Sequence, residues 1–105
     1  MIVGAMERTA ICACATALPA HSALIRLSGP GAPAIAHRAG LTVPAAWSWS
    51  ASSWTLDPGS FPVRALFAPA GRSFTGEDLV EITLPGAPDL VALALAALGA
   101  AGAQA

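Results

Sequence analysis

Short apolar runs separated by turn residues make up most of this chain, and their pattern predicts a small sheet. Five runs read as strands, at residues 9–16, 22–27, 47–50, 62–68 and 79–84. Within the fourth run, Val63, Ala65 and Phe67 share one face, because side chains alternate along a strand. The sequence Asp-Pro-Gly-Ser at residues 57–60 predicts a turn before that strand, with Gly59 at a positive φ.

Two further segments have the sequence signals of helices. Residues 33–38 predict a short helix that Gly40 closes, and Pro88 begins a second helix, where its missing N–H costs nothing. Asp89 complements the dipole of the second helix, and His37 complements that of the first. Strands interspersed with two helices in so short a chain predict an α+β fold, with the helices layered on a mostly antiparallel sheet.

The composition describes a small domain with little charge. A chain of 105 residues is expected to form one domain, residues 1–105, with one modest core. Hydrophobic residues make up 55% and charged residues 10%, which excludes a disordered tail. The net charge of −1 gives no broad attraction to nucleic acid or to a membrane surface. So little charge predicts a partner surface, because such a domain is poorly soluble alone.

No segment predicts a membrane span or a secretory leader. The longest uncharged run, residues 90–105, is shorter than the roughly 20 apolar residues that a bilayer requires. A secretory signal has a basic leader, whereas here Glu7 cancels Arg8. We therefore expect a cytoplasmic protein.

The two cysteines, Cys12 and Cys14, lie two residues apart and would share one strand face. That geometry strains a mutual disulfide, and no second cysteine pair completes a zinc site. Free cysteine is among the most buried residue types, so both are interpreted as small core residues, and no metal site is predicted.

Three motifs, in order, resemble the N-terminal domain of the family of tRNA modification GTPases called MnmE or TrmE. Residues 9–17 are similar to its opening strand, and Ile-Arg-Leu-Ser-Gly at residues 25–29 is similar to its second strand. Phe-Ala-Pro at residues 67–69 leads into Ser-Phe-Thr-Gly-Glu-Asp at residues 73–78 with the family's spacing.

The resemblance implies a module that binds folate and forms dimers. Family members bind 5-formyl-tetrahydrofolate or a related one-carbon folate in this domain, and they pair two subunits through the same region. The family's pocket arginine and glutamate fall here on Arg26 and Glu81. The chemistry of the two side chains suits these roles. A carboxylate can accept adjacent pterin N–H groups, and a guanidinium pairs with carboxylates or carbonyls in a planar fork.

The residues themselves leave alternatives open. Arg26, within an apolar strand, needs a partner, and an intramolecular salt bridge, with Glu81 as one candidate, would satisfy it. Glu81 alternates away from its apolar neighbours and faces either solvent or a pocket. Glu77 and Asp78 are interpreted as cap or solvated groups, although an acidic cluster in so apolar a chain also suits a polar ligand or a partner's cation.

This chain departs from the family pattern in two loops. The family has Pro-Gly-Arg-Gly-Gly in its first loop, whereas residues 18–22 are Leu-Pro-Ala-His-Ser. The family's His-Gly-Gly after the acidic strand is Pro-Gly-Ala here, at residues 85–87. The folate pocket is therefore expected to be incomplete. His21 is interpreted as an exposed loop residue, with a polar contact to ligand as the alternative.

The sequence predicts no catalytic activity for the chain alone. The phosphate-binding loop of a GTPase requires Gly-x-x-x-x-Gly-Lys-Ser/Thr, and this sequence contains no lysine. A GTPase domain is therefore absent from it, and tRNA modification would need separate subunits as partners.

The three tryptophans are interpreted as core or dimer-interface residues, because too few basic residues surround them for stacking on nucleic acid. Two hypotheses therefore stand. The chain is either a folate-binding and dimerising module, with a second copy as partner, or a degenerate remnant that acts only as a protein-interaction domain.

Overall fold

The computed structural model describes residues 10–71 and 76–105. Its elements in chain order are β1 (Ile11–Cys14), β2 (Ser22–Ser28), α1 (Ala32–Arg38), β3 (Trp49–Leu56), β4 (Gly59–Ala68), β5 (Leu79–Pro85) and α2 (Pro88–Ala100). The strands form one five-stranded sheet in the order β1-β2-β5-β4-β3, and each neighbouring pair is antiparallel. The predicted α+β fold is confirmed.

Both helices pack on the same face of the sheet. The buried strand residues of the core alternate along each strand, as Ala23, Ile25 and Leu27 do in β2. Leu90, Val91, Ala94 and Leu98 of α2 and Ile35 and Ala36 of α1 belong to the same core cluster. Because cross-strand partners share a face, this alternation assigns the opposite set of side chains to a face that neither helix covers. We call this second surface the open face.

The sequence signals for the two helix ends agree with the structure. Gly40 follows α1 at a φ of 94°, and its N–H donates to the carbonyl of His37. Asp89 lies in the first turn of α2, and His37 in the last turn of α1. The expected positive φ at Gly59 is wrong, because Gly59 already belongs to β4 and is extended with that strand.

A buried tryptophan connects the β3 edge of the sheet to the end of α1. Trp54 is fully buried, and its indole N–H donates to the carbonyl of Ala39 at 2.9 Å. The hydrogen bond satisfies the polar tip of a large apolar side chain, which is the usual requirement for a buried indole.

Both cysteines are free and lie on the helix-covered face. Cys12 is buried in the core, and Cys14 is partly buried against it, so their interpretation as small core residues is confirmed. Burial raises the pKa of the Cys12 thiol. Within the described ranges no helix is long and apolar enough to cross a bilayer. No three metal-ligating side chains cluster in the same ranges.

The loop before β2 packs directly on the loop after β5. The N–H of Ala20 donates to the carbonyl of Gly86 at 3.1 Å, and the N–H of Gly86 donates to the carbonyl of His21 at 3.3 Å. A Cβ atom on Gly86 would collide with the backbone carbonyl of Ala20. Glycine is therefore required here for the close approach of two backbones.

We predict that Gly86→Ala destabilises the domain by about 2–4 kcal/mol, because two hydrogen-bonded backbones would have to separate. Chemical denaturation measures the change. Gly99→Ala is the matched control, since nothing lies within 4 Å of the new methyl group and the residue is helical. That control should stabilise the domain by about 0.5 kcal/mol, and similar values for the two variants would contradict the steric argument.

Candidate ligand-binding face

The structure brings Arg26 and Glu81 together at the centre of the open face. They are direct cross-strand partners in the β2–β5 pair, 55 residues apart in sequence. Nε of Arg26 donates to Oε2 of Glu81 at 3.1 Å. The Arg26 side chain is 42% exposed and that of Glu81 is 21% exposed, so both remain accessible to a ligand. The intramolecular salt bridge considered above is therefore present.

The strand register arranges the open face in rows that cross the sheet. The ion-pair row contains one residue from each strand: Ala13, Arg26, Glu81, Leu66 and Trp49. The neighbouring row, which we call the pocket row, contains Leu24, Thr83, Arg64 and Ala51. Because the rows are two residues apart along each strand, they are separated by about 7 Å.

A pocket of about 540 Å³ begins at the pocket row. Its lining residues are His21, Ser22, Ala51, Ser52, Pro62, Val63, Arg64, Thr83, Leu84 and Pro85. The register places six of them, including Arg64 and Thr83, on the open face. Arg26 and Glu81 do not line this pocket but lie in the adjacent row. The site therefore consists of an ion pair next to a pocket.

The pocket contains two nitrogen-bearing side chains and no acidic one. Arg64 is exposed, and among the residues that the structure describes its guanidinium has no ion pair or hydrogen bond. His21 is exposed, as predicted, and it also lines the pocket. Sequence reasoning missed Arg64, although the alternation of Val63, Ala65 and Phe67 already placed Arg64 on the opposite face.

The two loops that depart from the family pattern meet at this pocket. His21 and Ser22 line it from the first loop, and Pro85 lines it from the second. The hydrogen bonds of Gly86 with Ala20 and His21 hold the two loops side by side. The two loops are more than 60 residues apart in the sequence, and both contribute side chains to this one pocket.

Asp78 has a structural role at one end of the open face. Its Oδ1 accepts the N–H of Ala70 at 2.8 Å, and its backbone carbonyl accepts the N–H of Gly29 at 2.9 Å. Asp78 thus binds the backbone of the preceding loop and lies at no helix end. The hydrogen bond between Gly29 and Asp78 joins two of the sequence motifs. Residues 72–75, which include the start of the second motif, lie outside the described residues.

The tryptophans divide between core and surface. Trp54 is buried, whereas Trp47 is 50% exposed and Trp49 is 59% exposed. Trp49 ends the ion-pair row on the edge strand β3. The interpretation as a core residue is therefore right for Trp54, and an interface role for the other two stays a prediction.

Comparison with known proteins agrees with these motifs. The family described as "GTP-binding protein TrmE N-terminus" matches residues 10–105. The tRNA modification GTPase MnmE of Alkalilimnicola ehrlichii is 42% identical over 107 aligned positions, which cover 94% of this chain and 23% of that protein. This chain thus spans about a quarter of the length of the relative that it matches.

We predict that the Arg26–Glu81 pair contributes little to stability. Both side chains are partly exposed, so a double-mutant cycle with Arg26→Gln and Glu81→Gln should give a coupling of about 1 kcal/mol or less. Denaturation of the two single variants and the double variant measures it. A coupling of several kcal/mol would mean that the pair is a structural element and not an accessible site.

Proposed function

This chain belongs to the TrmE N-terminal family, and from that premise we propose that it is a non-catalytic module of tRNA wobble-uridine modification that binds a reduced one-carbon folate and pairs subunits. The observation that supports folate binding is the accessible Arg26–Glu81 pair beside a pocket of about 540 Å³. Protein pockets of about 300–1,000 Å³ accommodate ligands of this size.

The chemistry of Glu81 suits the pterin ring. A carboxylate has two oxygens and about four acceptor sites, so Glu81 can hold Arg26 and also accept pterin N–H groups. Arg26 then holds the Glu81 side chain in place, through the 3.1 Å contact between Nε and Oε2, while the ligand binds. A partly buried carboxylate that already has its counter-ion needs little reorganisation to accept a neutral donor.

In this proposal the chain catalyses no reaction by itself. The sequence has no lysine, so it holds no phosphate-binding loop for GTP. GTP hydrolysis and chemistry on tRNA would come from the parts of the system that correspond to the rest of the relative, either in the same polypeptide or in separate subunits.

The exposed apolar residues of the open face support subunit pairing with a second copy. Ile11, 53% exposed, and Trp49, 59% exposed, lie at opposite edges of this face. Large aromatic and aliphatic side chains on the surface of so small a domain are typical of a covered interface. The low net charge of −1 offers little repulsion between two copies.

The altered loops at the pocket favour the second hypothesis, a protein-interaction domain without folate binding. His21, Ser22 and Pro85 lie in the two loops that differ from the family's Pro-Gly-Arg-Gly-Gly and His-Gly-Gly stretches, and Arg26 already has a partner within the chain. Ligand titration separates this hypothesis from the first.

We predict that 5-formyl-tetrahydrofolate binds the purified chain and that Glu81→Ala weakens the binding at least tenfold, because a charge-assisted contact contributes about 1.5–3 kcal/mol. Isothermal titration calorimetry measures both. Asp57→Ala, in the exposed β3–β4 turn, is the control and should bind like the unmodified chain. Absence of heat at millimolar ligand would reject folate binding, and an unchanged affinity in Glu81→Ala would show that the pocket is elsewhere.

We also predict a dimer that depends on the open face. Trp49→Ser should shift the chain toward monomer, because it removes a large exposed anchor. Leu93→Ser, an exposed hydrophobic residue on α2, should leave the dimer intact. Sedimentation velocity compares the three proteins, and a monomer at all concentrations of the unmodified chain would contradict the proposal.

A further inference from the structure

The pocket beside the ion pair is lined by basic and hydroxyl-bearing side chains and by no acidic one. Arg64 brings a guanidinium that no described residue pairs with, and His21 offers an imidazole N–H at the pocket's loop end. Ser22 and Thr83 add hydroxyl groups, and none of the ten lining residues is acidic. Such a lining favours an anion with oxygen acceptors, and a guanidinium matches a carboxylate in particular.

The distances along β5 relate this lining to the proposed pterin contact. Thr83 is two residues from Glu81, or about 7 Å, and Pro85 is four residues away, or about 14 Å. The pocket therefore starts one row from the ion pair and extends away from it. A folate is an elongated molecule, with a pterin at one end, an aminobenzoyl group in the middle and a glutamate with two carboxylates at the other end.

We propose that this pocket recognises the aminobenzoyl-glutamate end of the folate and that Arg64 pairs with a glutamate carboxylate. The inference rests on the proposed folate binding and adds a specificity-determining residue to it. The aminobenzoyl ring lies beside Thr83 at the start of the pocket, and the glutamate extends past Arg64 toward the loop end. His21 and Ser22 donate hydrogen bonds at the far end, where the carboxylates lie.

The test compares three ligands by calorimetry: 5-formyl-tetrahydrofolate, the corresponding tetrahydropteroate that lacks glutamate, and N-(4-aminobenzoyl)-glutamate. The unmodified chain should bind the glutamate-bearing folate roughly tenfold more tightly than the pteroate, which is the effect expected of one charge-assisted hydrogen bond. Arg64→Gln should remove that preference and leave the affinity for the pteroate unchanged.

Two variants serve as controls. Arg64→Lys keeps the charge and should retain part of the preference, because lysine lacks the planar fork of arginine. Arg38→Gln removes an exposed arginine whose guanidinium donates to the carbonyl of Ala101 at the end of α2, and it should leave all three affinities unchanged. Circular dichroism checks that each variant is folded before titration.

The outcomes separate this inference from the proposal beneath it. Equal affinity for the folate and the pteroate, or a preference that survives Arg64→Gln, overturns the role of Arg64 and leaves folate binding intact. Binding of N-(4-aminobenzoyl)-glutamate that depends on Arg64, without any binding of the pteroate, supports the carboxylate site and rejects the pterin contact at Glu81. No binding of any of the three ligands overturns both.

Discussion

The pairing of β2 with β5 is the contact on which both the core and the candidate site depend. These two strands lie at the centre of the sheet, and seven residue pairs fix their register. On one face the register places Ile25 beside Ile82 beneath the helices, and on the other it places Arg26 beside Glu81. A slip of β2 by one residue would move its apolar side chains to the open face and turn Arg26 into the core, away from Glu81. The register that builds the core therefore also forms the ion pair.

The second feature that organises the molecule is the meeting of the two loops at residues 18–21 and 85–87. They extend the β2–β5 contact beyond the end of the ladder, and Gly86 permits their close approach. Because both loops contribute to the pocket, a change in either one alters the same lining. Both departures from the family pattern therefore fall at one pocket, which His21 lines from the first loop and Arg64 lines from β4.

In the proposed folate complex, the two rows would separate the two kinds of contact that a folate makes. The carboxylate–guanidinium pair would suit the neutral donors of a pterin, and Arg64, which has no ion pair among the described residues, would suit a negative glutamate. Placing them in neighbouring rows keeps Arg64 from competing with Arg26 for Glu81. Trp49 lies in the same row as Glu81, two strands away, and can serve either an interface or the ligand side of the face.

Alternation and turn residues in the sequence determined the elements and their faces, because strand periodicity and helix-end signals act over a few residues. Four of the strands, both helices and the core position of Cys12 were predictable on this basis. The third strand was predicted at residues 47–50 but lies at Trp49–Leu56, and Trp47 stands before it at a positive φ of 60°. The local turn at Gly59 was not predictable, because the strand continues through that residue. The motifs also indicated Arg26 and Glu81 as the residues of interest.

Only the tertiary structure decided which distant residues meet. The order of strands in the sheet made Arg26 and Glu81 neighbours, brought the two altered loops together, and placed Arg64 at the pocket. The contact between Arg26 and Glu81 joins residues that are 55 apart in sequence. Such contacts depend on which strand edges pair, and burial of the whole apolar face decides that pairing, not any local pattern.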